Sequence, residues 1–210
     1  MTEPQSPERI PLSITDTSRR RGCVSVGVAL VFGAALGGVV GLIGGRSAGL
    51  ITAAVIAGLL GLLAWTTGRR QIWLEGSRVV AKTVGSKVVD LRHVDKLDLL
   101  VTDVRGVRTI GLLVGAKAKS INIPLAAYSG TGGRELGILP LRKLADALMG
   151  SDNTGGLVFS QLLVAQLRAE AKGEAAPDRP LFQLASVAPQ GKLAQRLRIE
   201  AVTRFVANLH

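Results

Sequence analysis

Two consecutive apolar runs constrain this chain more than any other feature. Residues 22–45 carry no Asp, Glu, Lys, Arg or His, and after Arg46 residues 47–68 carry none either. Roughly 20 mainly apolar residues in helical form cross the ~30 Å hydrocarbon core of a bilayer, and each run has that length. The runs therefore read as a membrane α-helical hairpin over 22–68, joined to a cytosolic α+β part. Arg19, Arg20 and Arg21 precede the pair and Arg69 and Arg70 follow it. Basic residues beside spans stay on the cytoplasmic side, so the expected protein is multi-pass in the cell (inner) membrane with both termini cytoplasmic. A secretory signal fits poorly, because its apolar core is shorter, about 7–15 residues. Cys23 stands alone, which leaves no internal disulfide and no cysteine-based metal cluster.

Small residues recur every four positions through the first run, at Gly33, Gly37 and Gly41 among others, and the second run answers with Ala53, Ala57 and Gly61. Helices in lipid attract by close backbone approach, so these residues are the expected helix–helix packing stripe. Self-association through the longer glycine stripe is the competing use and would give a homo-oligomer. Neither run holds an ionisable group, so the pair reads as an anchor and not as a pore or pump.

After residue 70 the pattern changes to alternation. Ile72 and Leu74 share one face of a strand, Gly76 and Ser77 offer a turn into 78–84, and Gly85 and Ser86 turn into 87–91. Further strands are expected at 97–101, 107–114 and 120–125, with a polar tip at 103–106. Pro140 suits a first helical position, Leu141, Leu144, Ala145 and Leu148 recur at one-turn spacing, and Gly150 offers a left-handed cap. The expected domain over 69–150 is a small antiparallel, partly open β-barrel capped by this helix. A helical C-terminal extension fills 151–210, with a helix near 157–172, a flexible linker near 173–180 and a basic amphipathic helix over 192–209. That last helix carries Lys192, Arg196, Arg198 and Arg204 for docking on its own domain, a partner or lipid. Residues 1–21 read as a disordered tail.

The segment Trp73, Leu74, Glu75 and Gly76, the strand at 78–84, Val89, Asp90 and Leu91 after the turn, and the helix at 141–148 together resemble a known arrangement. Actinobacterial two-span membrane proteins with a cytosolic bacterial pleckstrin-homology-like (PH-like) domain show this order, and the resemblance covers residues 22–150. It implies a binding or assembly module without general enzymatic activity. Eukaryotic relatives often bind phosphoinositides through basic residues around the first hairpin. Here Arg78, Lys82 and Lys87 are the candidates for lipid head-group contact, although they are spread out and better suit solvated strand ends.

The reading that results is a non-enzymatic integral membrane protein that tethers a PH-like module to the cytosolic membrane face. Its expected partners are membrane lipid, a membrane-associated protein and a second copy. The net charge of +11 motivates the alternative, a membrane-held nucleic-acid binder, but only 3% of residues are aromatic and stacking platforms are scarce. His93 and His210 are the only histidines, too few for a histidine metal site. A Ser-His-Asp assembly around His93, with Asp90 and Asp95 nearby in sequence, reads as chance placement. The glycine-rich run 129–134 lacks the Lys-Ser/Thr pair of a phosphate-binding loop and is expected to be a mobile link. No cofactor and no small-molecule substrate is implied.

Overall fold

The computed structural model describes residues 8–14, 31, 34–35, 38–39, 41–42, 45–68, 71–83, 85–188 and 194–209. They divide into two compact units, one containing the long helix of the second apolar run and the other containing both sheets. The helix, α1, spans Arg46–Gly68.

The expected membrane hairpin is corrected here. Among the described residues no helix is long and apolar enough to cross a membrane. Of the first run, only residues 31, 34–35, 38–39, 41–42 and 45 are among the described residues. The transmembrane assignment, the inner-membrane location and the membrane anchor lose their support together.

The other unit is α+β, with two antiparallel sheets. The first has the order β1-β2-β3-β4, comprising Arg9–Pro11, Gln71–Glu75, Arg78–Lys82 and Ser86–Asp90. The second has the order β8-β7-β6-β5-β9, comprising Gly132–Glu135, Lys119–Ser129, Val107–Ala116, Lys96–Val104 and Gln195–Leu197. The expected single barrel of about six strands is thus replaced by two sheets, enlarged by strands from both ends of the sequence. β1 lies inside the tail expected to be disordered. Its alternation explains it: Ile10 lies opposite Leu74, Leu12 N–H donates to the Ile72 carbonyl at 2.8 Å, and both side chains are buried. Pro11 has no N–H to offer and is tolerated because β1 is an edge strand.

In the five-stranded sheet, β5 and β6 are joined at Arg105 and Gly106, both with positive φ (53° and 77°), as a two-residue hairpin of matching twist requires. The β6–β7 register shifts between Ile110 and Gly111, and Pro124 sits opposite Gly111 at this irregularity, where a missing donor does least harm. Gly133 of β8 lies opposite Tyr128, and a Cβ there would collide with the Tyr128 ring. The run containing Gly132 and Gly133 is therefore strand β8, not the mobile link expected.

Helices α2 (Ile138–Met149) and α3 (Thr154–Ala171) pack against each other after the sheet. α2 buries Leu141, Leu144, Ala145 and Leu148, the residues its one-turn spacing singles out. Pro140 is its third residue, where the N–H has no intrahelical partner to lose, and Gly150 ends it at φ −85°, not in the left-handed region. Asn153 caps α3 by accepting the Gly155 N–H at 2.9 Å. The expected flexible linker near 173–180 instead holds a 3-10 turn, Ala176–Asp178, and then α4, Pro180–Val187, with Pro180 in its first turn. The expected single helix over 192–209 divides into β9 and α5, Ile199–Ala207. Leu197 gains a place opposite Leu99, so sheet pairing overrides the helical spacing, and α5 buries Val202 and Val206 against its own domain.

Leu12 tests the role of the N-terminal segment. Leu12→Ala should lower unfolding stability by about 2–5 kcal/mol, the range for a large buried side chain, and reduce the denaturant midpoint correspondingly. An unchanged midpoint would mean the segment does not pack into the core.

Candidate functional site

A chemically mixed depression in the sheet unit lies where the β5–β6 tip, the β7–β8 turn and α4 converge. It encloses about 590 Å³, within the size range of small-ligand and peptide side-chain pockets. Asp103, Arg105 and Arg108 line it from the first hairpin, Tyr128 and Gly130 from the second, and Phe182 and Ser186 from α4. Arg108 Nε stands 3.7 Å from Asp103 Oδ2, so part of its charge is already answered. Arg105 is exposed and makes no ion pair among the described residues. It occupies a left-handed position that glycine, asparagine or aspartate usually takes. Lys117 has a similar φ at the next hairpin, but its N–H is held by Asp95 Oδ2 at 2.7 Å.

The floor is built on a buried polar network. Tyr128 O–H donates to Glu135 Oε1 at 2.7 Å, and Arg179 donates from a terminal guanidinium nitrogen to Glu135 Oε2 at 2.6 Å. Arg179 Nε also donates to the Glu174 carbonyl at 2.9 Å. Phe182 meets Tyr128 edge-on, with centroids 5.0 Å apart and planes at 71°. Burial pushes the Tyr128 phenol well above its ordinary range, reinforced by the hydrogen bond to the Glu135 carboxylate and opposed by the Arg179 charge. The bond to Glu135 raises the Arg179 pKa further, against the effect of burial. α4 is additionally held by Gln166 of α3, whose Oε1 accepts the Leu181 N–H at 3.0 Å.

The residues singled out from sequence lie elsewhere. Arg78 on β3 stands 3.9 Å from Asp90, while Lys82 and Lys87 are exposed strand residues. Burial tends to raise the Asp90 carboxyl pKa, but the Arg92 N–H, the Ser77 hydroxyl and the nearby His93 and Arg78 charges bring it below its usual value. His93 Nδ1 pairs with Asp152 Oδ2 at 2.6 Å, not with Asp90 or Asp95. No serine hydroxyl is bonded to His93 among the described residues, and no group of potential metal ligands gathers there. Gly33 and Gly37 lie outside the described residues, as does Lys192. Gly41 approaches the Gly49 backbone, with 3.5 Å from an ideal Cβ to the Gly49 Cα, while Ala53, Ala57 and Gly61 are half-buried along α1. Arg196 lies opposite Leu100 on β9, and Arg198 and Arg204 are exposed at the start and on the surface of α5.

The polar tip at 103–106 is legible in the sequence, whereas its convergence with Tyr128 and Phe182 is not. Glu135 and Arg179 are 44 residues apart and carry no local signal of their pairing.

Tyr128 is the sole tyrosine, so phenolate absorbance reads this group alone. A raised folded-state pKa contributes stability below the unfolded value of about 10 and loses it as pH rises beyond that. Folded protein should show no phenolate until alkaline unfolding, and Tyr128→Phe should flatten the loss of stability above pH ~10. Ordinary titration near pH 10 in the native state would contradict the network. No family model, curated protein or solved structure matches the chain, so the resemblance to PH-like domains rests on the quoted residues alone.

Proposed function

We propose that the two-sheet unit is a non-catalytic binding module whose cavity receives an acidic segment of a partner protein. One observation carries the reading: the edge-to-face pair Tyr128 and Phe182 lines the same cavity as Arg105, which forms no ion pair among the described residues. A partner carboxylate can accept from Arg105 while an adjacent apolar group packs on the rings, giving polar selection over an apolar base. Ser186 on α4 also lines the cavity, its hydroxyl donating to the Phe182 carbonyl at 2.9 Å. The strongly positive chain raises the encounter rate with acidic partners.

Buried ionisable residues serve this module by support. Glu135 accepts from Arg179 on one carboxylate oxygen and from Tyr128 on the other, which ties it to the frame of the cavity. Nucleic acid binding draws on the same net charge, and the two readings separate in one assay. Fluorescence polarisation with the full chain should show binding of an Asp/Glu-rich peptide bearing one aromatic residue. An oligolysine peptide and a single-stranded oligonucleotide should bind more weakly. Arg105→Glu should reduce acidic-peptide affinity at least about tenfold, corresponding to ~1.4 kcal/mol. Preferential oligonucleotide binding, or no effect of Arg105→Glu, would overturn the reading.

A further inference from the structure

The charged side chains that line the cavity do not balance. Arg105 and Arg108 supply two guanidinium groups against the single carboxylate of Asp103, an excess of one positive charge. Glu135 and Arg179 in the floor answer each other at 2.6 Å and leave that excess unchanged. Strand register fixes where the carboxylate stands: Asp103 of β5 lies opposite Arg108 of β6, Arg108 opposite Tyr128 of β7, and Tyr128 opposite Gly133 of β8. Directly opposed residues share one face of a sheet, so Asp103, Arg108 and Tyr128 form a row across the cavity wall. The next row on that face, Val101, Ile110 and Ala126, is buried, which sets the charged row at the edge of the core. Asp103 is only 18% exposed and Arg108 22%, so salt screens them less than fully exposed charges. Asp103 Oδ2 stands 3.7 Å from Arg108 Nε, beyond hydrogen-bond length, and its charge still acts on a neighbouring ligand.

An excess of one positive charge complements a group that carries one negative charge. A side-chain carboxylate brings that much, whereas a phosphoryl monoester brings about −1.5 to −2 at pH 7 and is repelled by an adjacent Asp or Glu. Discrimination between two anions needs such a repulsive element beside the attractive one. Arg105 attracts either anion, but Asp103, the one carboxylate among the described residues lining the cavity, opposes the more highly charged of the two. We infer that Asp103 is the specificity-determining residue of the cavity, admitting the carboxylate of a partner's Asp or Glu and rejecting a phosphorylated side chain. This deepens the acidic-segment reading and rests on it.

Fluorescence polarisation of the full chain tests this with two versions of the aromatic-bearing acidic peptide that differ at one central position, glutamate or phosphoserine. The unsubstituted chain should bind the glutamate version at least about fivefold more tightly. Asp103→Asn should remove or reverse that preference, shifting the ratio of the two dissociation constants by about tenfold. Asp103→Thr, neutral and better suited to a strand, should produce the same shift and guards against a local loss of structure in the first variant. Asp146→Asn makes the same change in net charge at an exposed position of α2, and the ratio should stay where it was. A preference for phosphoserine in the unsubstituted chain, or a ratio indifferent to both Asp103 variants, would overturn the inference. An equal shift with Asp146→Asn would assign the effect to net charge and overturn it too. Glutamate-peptide binding that survives Arg105→Glu would instead overturn the acidic-segment reading, and binding of neither peptide would overturn both.

Discussion

At the end of β8, Arg179 and Tyr128 each donate to one carboxylate oxygen of Glu135. A carboxylate removed from water without such partners carries a desolvation penalty of several kcal/mol, so the site depends on the pair remaining intact. Arg179 also sits at the junction between the 3-10 turn and α4. Its bonds to Glu135 and to the Glu174 carbonyl determine where α4 begins. Gln166 holds the next N–H from α3, and Phe182 then reaches the Tyr128 ring. Removing the carboxylate would leave a half-buried guanidinium without its main partner and release the wall that α4 contributes to the cavity.

The sheet prepares the other wall by backbone geometry. The two left-handed residues of the β5–β6 turn present Arg105 at the hairpin tip, and pairing of Val104 with Val107 holds that tip beside Asp103 and Arg108. Across the sheet, the absence of a side chain at Gly133 lets the Tyr128 ring lie over β8 while its hydroxyl reaches Glu135. The ring thereby serves two purposes: it fills apolar volume beneath the cavity and it satisfies a buried charge. Polar recognition at the rim is consequently separated from structural electrostatics in the floor.

Much of the sheet was legible because its signals are local. Ile121, Ile123 and Leu125 alternate, short turn residues separate the runs, and the apolar spacing of α2 is realised at Leu141, Leu144, Ala145 and Leu148. Contributions from the chain ends were not legible. Ile10 and Leu12 acquire meaning only opposite Leu74 and Ile72, and Leu197 only opposite Leu99. The segment 173–180 resembles a linker in composition, yet Arg179 orders it through a carboxylate distant in sequence. The apolar runs misled in another way: charge-free length is a necessary condition for spanning a bilayer and not a sufficient one, and no helix among the described residues is long and apolar enough to cross a membrane. For the site, composition revealed a basic chain without revealing which cation faces an aromatic floor.

Hydrogen exchange on full-length Glu135→Ala tests the central claim most directly. The Glu135 network should govern local opening of 176–187, so those amides should lose protection while the paired amides of β5, β6 and β7 retain theirs. Unchanged protection across α4 would contradict the claim that this buried carboxylate positions the helix and shapes the cavity.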